Sequence, residues 1–512
     1  MVPQGAQNDS TPLISSLHFY STFLLHPCIP TSPELTWFHE GVEKYEAEFS
    51  YLEVLKYSIM RVYNTIILFV LILFTKLNAQ DTAWNGQLDV NGLKLQLIFH
   101  IEQDDSTRAY LSVPIQGVNK LPADEVFIAS DSVSIRFNAL QIHYHGQFTD
   151  STHIKGTFTQ SGLSFPLELN KGEGESPLNR PQTPKPPFPY ENREVTFRNP
   201  EANITLAGTY SIPHGSGPFP AVILVSGSGA QDRDCNILGH KWFEVLADHL
   251  LRKGISVLRY DDRGIGASEG NFKEALTTDL SRDALYGFQW LEKQPETDPK
   301  RTGIIGHSEG GIVATMVGSQ NMAVDFLVLL ASPSVTGKEI LLTQRYEIEV
   351  ASGIPENQAV TTREIFEKVY NDMSTSSLSG EALKDFIKER LTIHSDSTIT
   401  GKQLNILSES LSNAWMKSFL EIDPSDHLKQ LQLPVLALYG SKDIQVNAPD
   451  NAGRLKKSLS PIQLQNTTIK TLAGHNHLFQ PAVSGLPGEY QAIDITISSE
   501  TLNTISQWIQ SY

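Results

Sequence analysis

The stretch Gly306-His307-Ser308-Glu309-Gly310-Gly311 sets a serine between glycines in a G-x-S-x-G pattern. Such a serine does chemistry only in the right backbone setting. Here the motif follows the apolar run Gly303-Ile-Ile305 and opens the apolar stretch Gly311-Ile-Val-Ala-Thr-Met-Val317. That is the strand–turn–helix succession that forces a serine into a strained turn with its hydroxyl at the tip. The flanking glycines relieve the crowding that larger side chains would create there. The spacing predicts Ser308 as the nucleophile of an acyl transfer.

A serine hydroxyl attacks poorly until a histidine takes its proton, and that histidine needs an acid to hold its tautomer. On an elbow of this type the chain order is serine, acid, histidine. Asp443 ends Gly440-Ser441-Lys442-Asp443, directly after the apolar run Val435-Leu-Ala-Leu-Tyr439, and so sits where a strand's carboxyl end would present the acid. Asp450 is the alternative, with a structural reading. His475 and His477, in Leu472-Ala-Gly-His-Asn-His-Leu-Phe479, both follow the acid, and spacing alone does not separate them. An oxyanion hole needs two N–H donors. One is the backbone of Glu309, the other the backbone of Ser228 or Gly229 in Ser226-Gly227-Ser228-Gly229. No G-K-[ST] follows those glycines, which disfavours a phosphate cradle.

Other reactive side chains read as structural. Cys28 and Cys235 are too few for a disulfide framework or a cysteine-based zinc site, and Cys235 reads as a small apolar filler. His143 and His145 share one strand face opposite the apolar Ile142 and Tyr144, so they read as solvent-facing rather than as metal ligands. No metal or organic cofactor is implied.

The elements that must position these groups follow two rhythms. From Ala221 onward, short continuous apolar runs (Ala221–Val225, Ile255–Leu258, Gly303–Ile305, Phe326–Leu330, Val435–Tyr439) alternate with helical patterns such as Trp242–Leu251 and Asp279–Leu291. This predicts a parallel α/β sheet. Residues 335–427 interrupt the alternation with helical periodicity, predicting a helical cap over the sheet's carboxyl edge. Ahead of this, residues 81–170 alternate with period two between turn residues, predicting a small antiparallel β domain, sandwich or barrel. Residues 171–192, rich in proline and glycine, read as a stiff, exposed linker, and 193–512 as the α/β domain.

Length and charge bound the rest. At roughly 100 to 200 residues per domain, 512 residues hold two to four domains. A formal charge of -17 repels polyphosphate, so nucleic acid is not an expected partner. The apolar run Thr65–Thr75, after Met60-Arg61 and before Ala79, reads as a secretory signal over 60–80, with residues 1–59 a non-native or disordered extension and Met60 the true start. The run is too short for a comfortable membrane span, so the mature chain is expected without one, in the periplasm or secreted.

At these residues the chain resembles the α/β-hydrolase superfamily, and more narrowly secreted bacterial esterases of its serine aminopeptidase-like and acyl-thioester-hydrolase-like branches. The resemblance rests on Gly227-Ser-Gly-Ala-Gln-Asp-Arg-Asp234, Tyr260-Asp-Asp-Arg-Gly-Ile-Gly-Ala-Ser268, Gly306-His-Ser-Glu-Gly310, Asp423-Pro424 and Asn476-His-Leu-Phe-Gln480. It spans about Arg193 to Tyr512, and the preceding β domain looks like one found in such esterases. It implies an α/β-hydrolase fold with a helical cap insertion, preceded by a small antiparallel β domain. It also implies His477 as the base with His475 an extra residue, and Asp261, Asp262, Arg263 and Gly264 as a charged, hydrogen-bonded turn beside the site. The expected function is hydrolysis of small carboxylic esters by Ser308, Asp443 and His477. An aminopeptidase or acyl thioesterase with the same residues is the alternative, and a noncatalytic ligand-binding protein the alternative of another class.

Overall fold

Alternating apolar residues build the first unit. The computed structural model describes residues 82–90, 93–103, 107–113, 118–138, 140–160, 163–172, 179–396, 398–399 and 401–512. The expected extension at 1–59 and the expected signal at 60–80 lie outside them. Nine strands follow one another: β1 (Thr82–Val90), β2 (Leu93–Gln103), β3 (Thr107–Val113), β4 (Val118–Pro122), β5 (Glu125–Ile128), β6 (Ser132–Phe137), β7 (Ile142–Phe148), β8 (His153–Gln160) and β9 (Leu163–Lys171). They form one antiparallel sheet in the order β4-β3-β2-β1-β9-β8-β7-β6-β5. Every strand pairs with a sequence neighbour except where β1 meets β9. Val133, Ile135 and Phe137 on β6 and Ile142 and Tyr144 on β7 are buried, while intervening residues face outward. That alternation gives the sheet one dry face and one wet face, as antiparallel sheets commonly have.

The second unit comprises the described residues from Asn179 to Tyr512. Its strands are β10 (Tyr190–Asn199), β11 (Ile204–Pro213), β12 (Phe219–Val225), a short pair β13 (Asn236–Ile237) and β14 (His240–Lys241), β15 (Ser256–Tyr260), β16 (Thr297–His307), β17 (Phe326–Leu330), β18 (Val435–Gly440) and β19 (Thr467–Leu472). The main sheet has the order β10-β11-β15-β12-β16-β17-β18-β19. It is parallel from β15 to β19, with β10 and β11 antiparallel at one edge. Alternate residues of the central strands feed two cores. Ile223, Leu258, Ile304 and Leu329 pack on one face, and Val222, Val257, Ile305 and Val328 on the other. Burial on both faces is why these strands read as unbroken apolar runs.

Helices α1 (Trp242–Arg252), α2 (Thr277–Leu291) and α3 (Glu309–Gln320) connect the early parallel strands. Between β17 and β18 the chain forms α4 (Gly337–Ala351), α5 (Glu356–Thr375), α6 (Gly380–His394), α7 (Gly401–Leu411), α8 (Ala414–Glu421) and α9 (Ser425–Leu428). This insertion has its own core, including Phe366, Val369, Ile387 and Leu407. It starts sharply because Thr336 and Glu339 cap each other's backbone N–H at the first turn of α4. Then come α10 (Ala448–Ser458), α11 (Pro461–Gln465) and α12 (Ser499–Gln510).

The linker departs from expectation. From Asn179 it is clasped to the α/β unit: Arg180 donates to the carbonyls of Leu238, Gln491 and Ile493, and Gln182 both donates to Ile497 O and accepts from Thr496 N. Proline removes backbone donors from this stretch, so the side chains of Arg180 and Gln182 do the bonding. The boundary expected at 193 falls inside β10, an antiparallel edge strand whose exposed residues interrupt any continuous apolar run.

Candidate active site

Ser308 sits between β16 and α3 with φ 54° and ψ -123°, a left-handed backbone that costs a non-glycine residue about 1–3 kcal/mol. The turn is tight. A side chain at Gly306 would come within 2.1 Å of Gly310 O, and one at Gly310 within 2.2 Å of Val225 O. Ser308 N donates to Leu330 O at 2.8 Å, which fixes the elbow to the neighbouring strand β17. The first residue of α3 is Glu309, whose backbone N–H belongs to the helix turn that has no intrahelical acceptor.

The loop after β12 passes directly against this elbow: a side chain at Gly227 would approach the Ser308 Cβ to 3.0 Å and His307 O to 3.2 Å. Ser228 and Gly229 follow at once, Gly229 with φ +94°. Asp262, buried at the end of β15, accepts from Ser226 Oγ (3.0 Å) and Gln231 N (2.9 Å) and so braces both ends of the loop. Burial raises its carboxyl to about 7.

Asp443 follows β18 and is buried. Its Oδ1 accepts from Gln445 N (2.8 Å) and Val446 N (2.9 Å), and its Oδ2 accepts from His477 Nδ1 at 2.8 Å. The histidine loop lies tight against the acid loop, with Lys442 N donating to His475 O at 2.8 Å. His307 Nε2 donates to His477 O at 3.0 Å, and the two rings are 4.8 Å apart. The residue preceding Ser308 therefore holds the backbone of His477. Burial and the neighbouring His477 keep the His307 imidazole neutral, its pKa held down to about 3.

His475 is engaged at both ring nitrogens. Nδ1 donates to Ala473 O at 2.9 Å, so Nε2, 2.7 Å from Ser498 Oγ, accepts the hydroxyl proton. Asp450 stands in the first turn of α10, paired with the cap residue Asn447. Cys235 is buried, and burial pushes its thiol well up. His143 bonds Ser134 Oγ at 2.9 Å. Around the Asp261–Gly264 turn, Arg233 pairs with Asp261 and Arg263 with Asp283, a charged brace below the loops. Among the described residues no three His, Cys, Asp or Glu side chains converge as a metal site.

Two features escaped the sequence reading. The five-residue pattern recurs at Gly266-Ala-Ser-Glu-Gly270, but Ser268 there is buried, donating to Asp261 O (2.7 Å) and accepting from Ala207 N (2.9 Å). The absence of a following helix was the signal that separates it from Ser308. The side chain of Glu309, buried beside the nucleophile, was also missed, and no pattern in the sequence announces its partners.

Residues 239–480 match the family described as "Serine aminopeptidase, S33". Esterase EstD of Thermotoga maritima is 27% identical over 330 residues, covering 63% of this chain and 68% of that protein. Esterase FrsA of Yersinia pestis is 32% identical over 132 residues, 26% of this chain and 29% of that protein. Among solved structures, a Pyrococcus furiosus esterase aligns with TM-score 0.39 and 17% identity, over 66% of this chain and 99% of that one.

Proposed function

We propose that this chain, an α/β-hydrolase of the serine-hydrolase class, cleaves small carboxylic esters through Ser308, His477 and Asp443. The observation that carries the reading is the contrast between the two candidate bases. His477 meets a buried carboxylate through Nδ1, whereas both nitrogens of His475 are taken by other groups. Ser308 Oγ attacks the acyl carbon while His477 Nε2 takes its proton. The N–H groups of Glu309 and of Ser228 or Gly229 stabilise the tetrahedral oxyanion. Collapse expels the alcohol, which carries away the proton from His477, and water then attacks the acyl-enzyme with His477 again as base. Asp443 keeps His477 in the Nδ1–H tautomer throughout.

Recovery of a fluorophosphonate adduct on the peptide holding Ser308, lost in Ser308→Ala, tests the nucleophile. A labelled Ser308→Ala, or an unlabelled but turning-over wild type, rejects it. The helical insertion favours short acyl groups: kcat/KM is highest for esters of about two to six acyl carbons, with amides slower because the amine leaves poorly. A second reading, aminopeptidase action, draws on the family description; aminoacyl anilides beating short esters by about tenfold would establish it instead. The apolar run at 65–75 supports export to the periplasm or medium, which the mass of the native mature protein checks. Among the described residues no helix is long and apolar enough to cross a membrane.

A further inference from the structure

Glu309 enters the reaction above only through its backbone N–H, yet its side chain is 2% exposed and unmatched by any Lys or Arg among the described residues. A buried carboxylate without a cation is costly unless neutral donors satisfy it. Three do, each from a different element. Thr277 Oγ1, at the start of α2, donates to Oε1 at 2.6 Å. Trp415 Nε1, on α8 of the helical insertion, donates to the same oxygen at 2.8 Å. Ser228 Oγ, on the loop after β12, donates to Oε2 at 2.6 Å.

That third bond falls on the loop whose N–H groups are assigned to the oxyanion hole. Asp262 already holds the loop at Ser226 and Gln231, so the tether at Ser228 fixes its middle. The bond holds the Ser228 Cα in place through its side chain, so the backbone N–H groups on either side of it are presented from a fixed point of the loop. An oxyanion hole is effective only when its donors are oriented before charge develops. The bond from Trp415 ties the insertion to the same carboxylate, and Trp415 is itself stacked on Phe419 of α8 at 4.8 Å.

We infer that the Glu309 carboxylate is a positioning residue: it orients the Ser228–Gly229 donors and holds the helical insertion in register with them. The inference rests on the reading of Ser308 as nucleophile.

The test measures kcat and KM on p-nitrophenyl butyrate, and Ki for a phenylboronic acid, whose serine adduct places an oxygen in the oxyanion hole. Glu309→Leu keeps the bulk and removes all three bonds. It lowers kcat about 10- to 100-fold and raises Ki by a similar factor, with KM within about threefold. Glu309→Gln, which still accepts through Oε1 and can offer Nε2 to Ser228 Oγ, recovers most of the loss. Ser228→Ala lowers kcat as well, and the Ser228→Ala/Glu309→Leu double variant is no worse than Glu309→Leu alone. Trp415→Phe has a smaller effect, about threefold. A Glu309→Leu protein with kcat and Ki within about twofold of wild type, or losses that multiply in the double variant, overturns the inference. If Glu309→Leu does not fold, unchanged kcat and Ki in Ser228→Ala overturn it equally. A wild type that neither turns over esters nor takes a fluorophosphonate overturns the hydrolase reading itself, an outcome distinct from an active wild type indifferent to residue 309.

Discussion

His143 and His145 flank Tyr144 on a strand of the antiparallel unit, and His475 and His477 flank Asn476 in a loop of the α/β unit. In the strand the pleat puts both rings on one outer face, 6.2 Å apart, where His145 is exposed. In the loop, Asn476 Oδ1 accepts from Leu478 N and Gln480 N, and the turn so formed sends the two rings to different partners. One meets Ser498 and Ala473 O, the other Asp443. An i, i+2 pair thus has no fixed meaning; the backbone beneath it decides whether the two side chains share surroundings. The contrast extends to solvation, since three histidines around the site (His307, His475 and His477) are buried and none of those on β7 is.

The sharpest way to break this comparison is substitution of the pair members. His477→Ala lowers kcat by about 10³-fold or more, while the His143→Ala/His145→Ala double variant stays within about twofold of wild type. Steady-state ester hydrolysis reads both, and comparable losses would dissolve the distinction.

The same contrast between units can be sharpened by truncation. A chain beginning at Ser176 keeps Arg180, Gln182 and the whole of β10, and retains hydrolysis. One beginning at Arg193 loses those bonds and melts at least about 5 °C lower by circular dichroism. Equal melting temperatures would show the clasp to be idle.

Within the loop pair, His475→Ala leaves kcat within about tenfold but costs about 1–3 kcal/mol in urea unfolding, because Ser498 Oγ and Ala473 O lose a buried partner. A loss of kcat matching that of His477→Ala would mean the two roles had been exchanged.

The smallest effect concerns the buried acid that braces the loop after β12. Burial raises the Asp262 carboxyl to about 7 from its ordinary 3.8. Between those values the folded state holds a proton that the unfolded state has released, so this group's contribution to stability falls as pH rises. Relative to Asp262→Asn, the wild type therefore loses on the order of 2 kcal/mol from about pH 5 to about pH 8. Parallel stability profiles for the two proteins would show that Asp262 is not held protonated.

Much of the site was legible without the fold. The serine turn is a local device, written in the glycines around Ser308 and in the apolar strand and helix on either side. Asp443 could be placed because it directly follows an apolar run, and the antiparallel unit because its alternation repeats strand after strand. The edge strand β10 was less legible, since its exposed residues break the continuous apolar run that marks β12 or β18, and β11, though buried along most of its length, carries Gly208, Thr209 and Ser211 among its apolar residues.

By itself the sequence pointed to the parallel α/β sheet, to the strand–turn–helix setting of Ser308 and to the strand-end setting of Asp443, because each depends on backbone conformation over a handful of adjacent residues. Only the tertiary structure decided which nitrogens of His475 were already occupied, that Arg180 and Gln182 clasp the α/β unit, and that Trp415 reaches Glu309 across 106 residues of chain. Those outcomes depend on which loops packing brings within about 3 Å of one another, a distance that no residue spacing encodes.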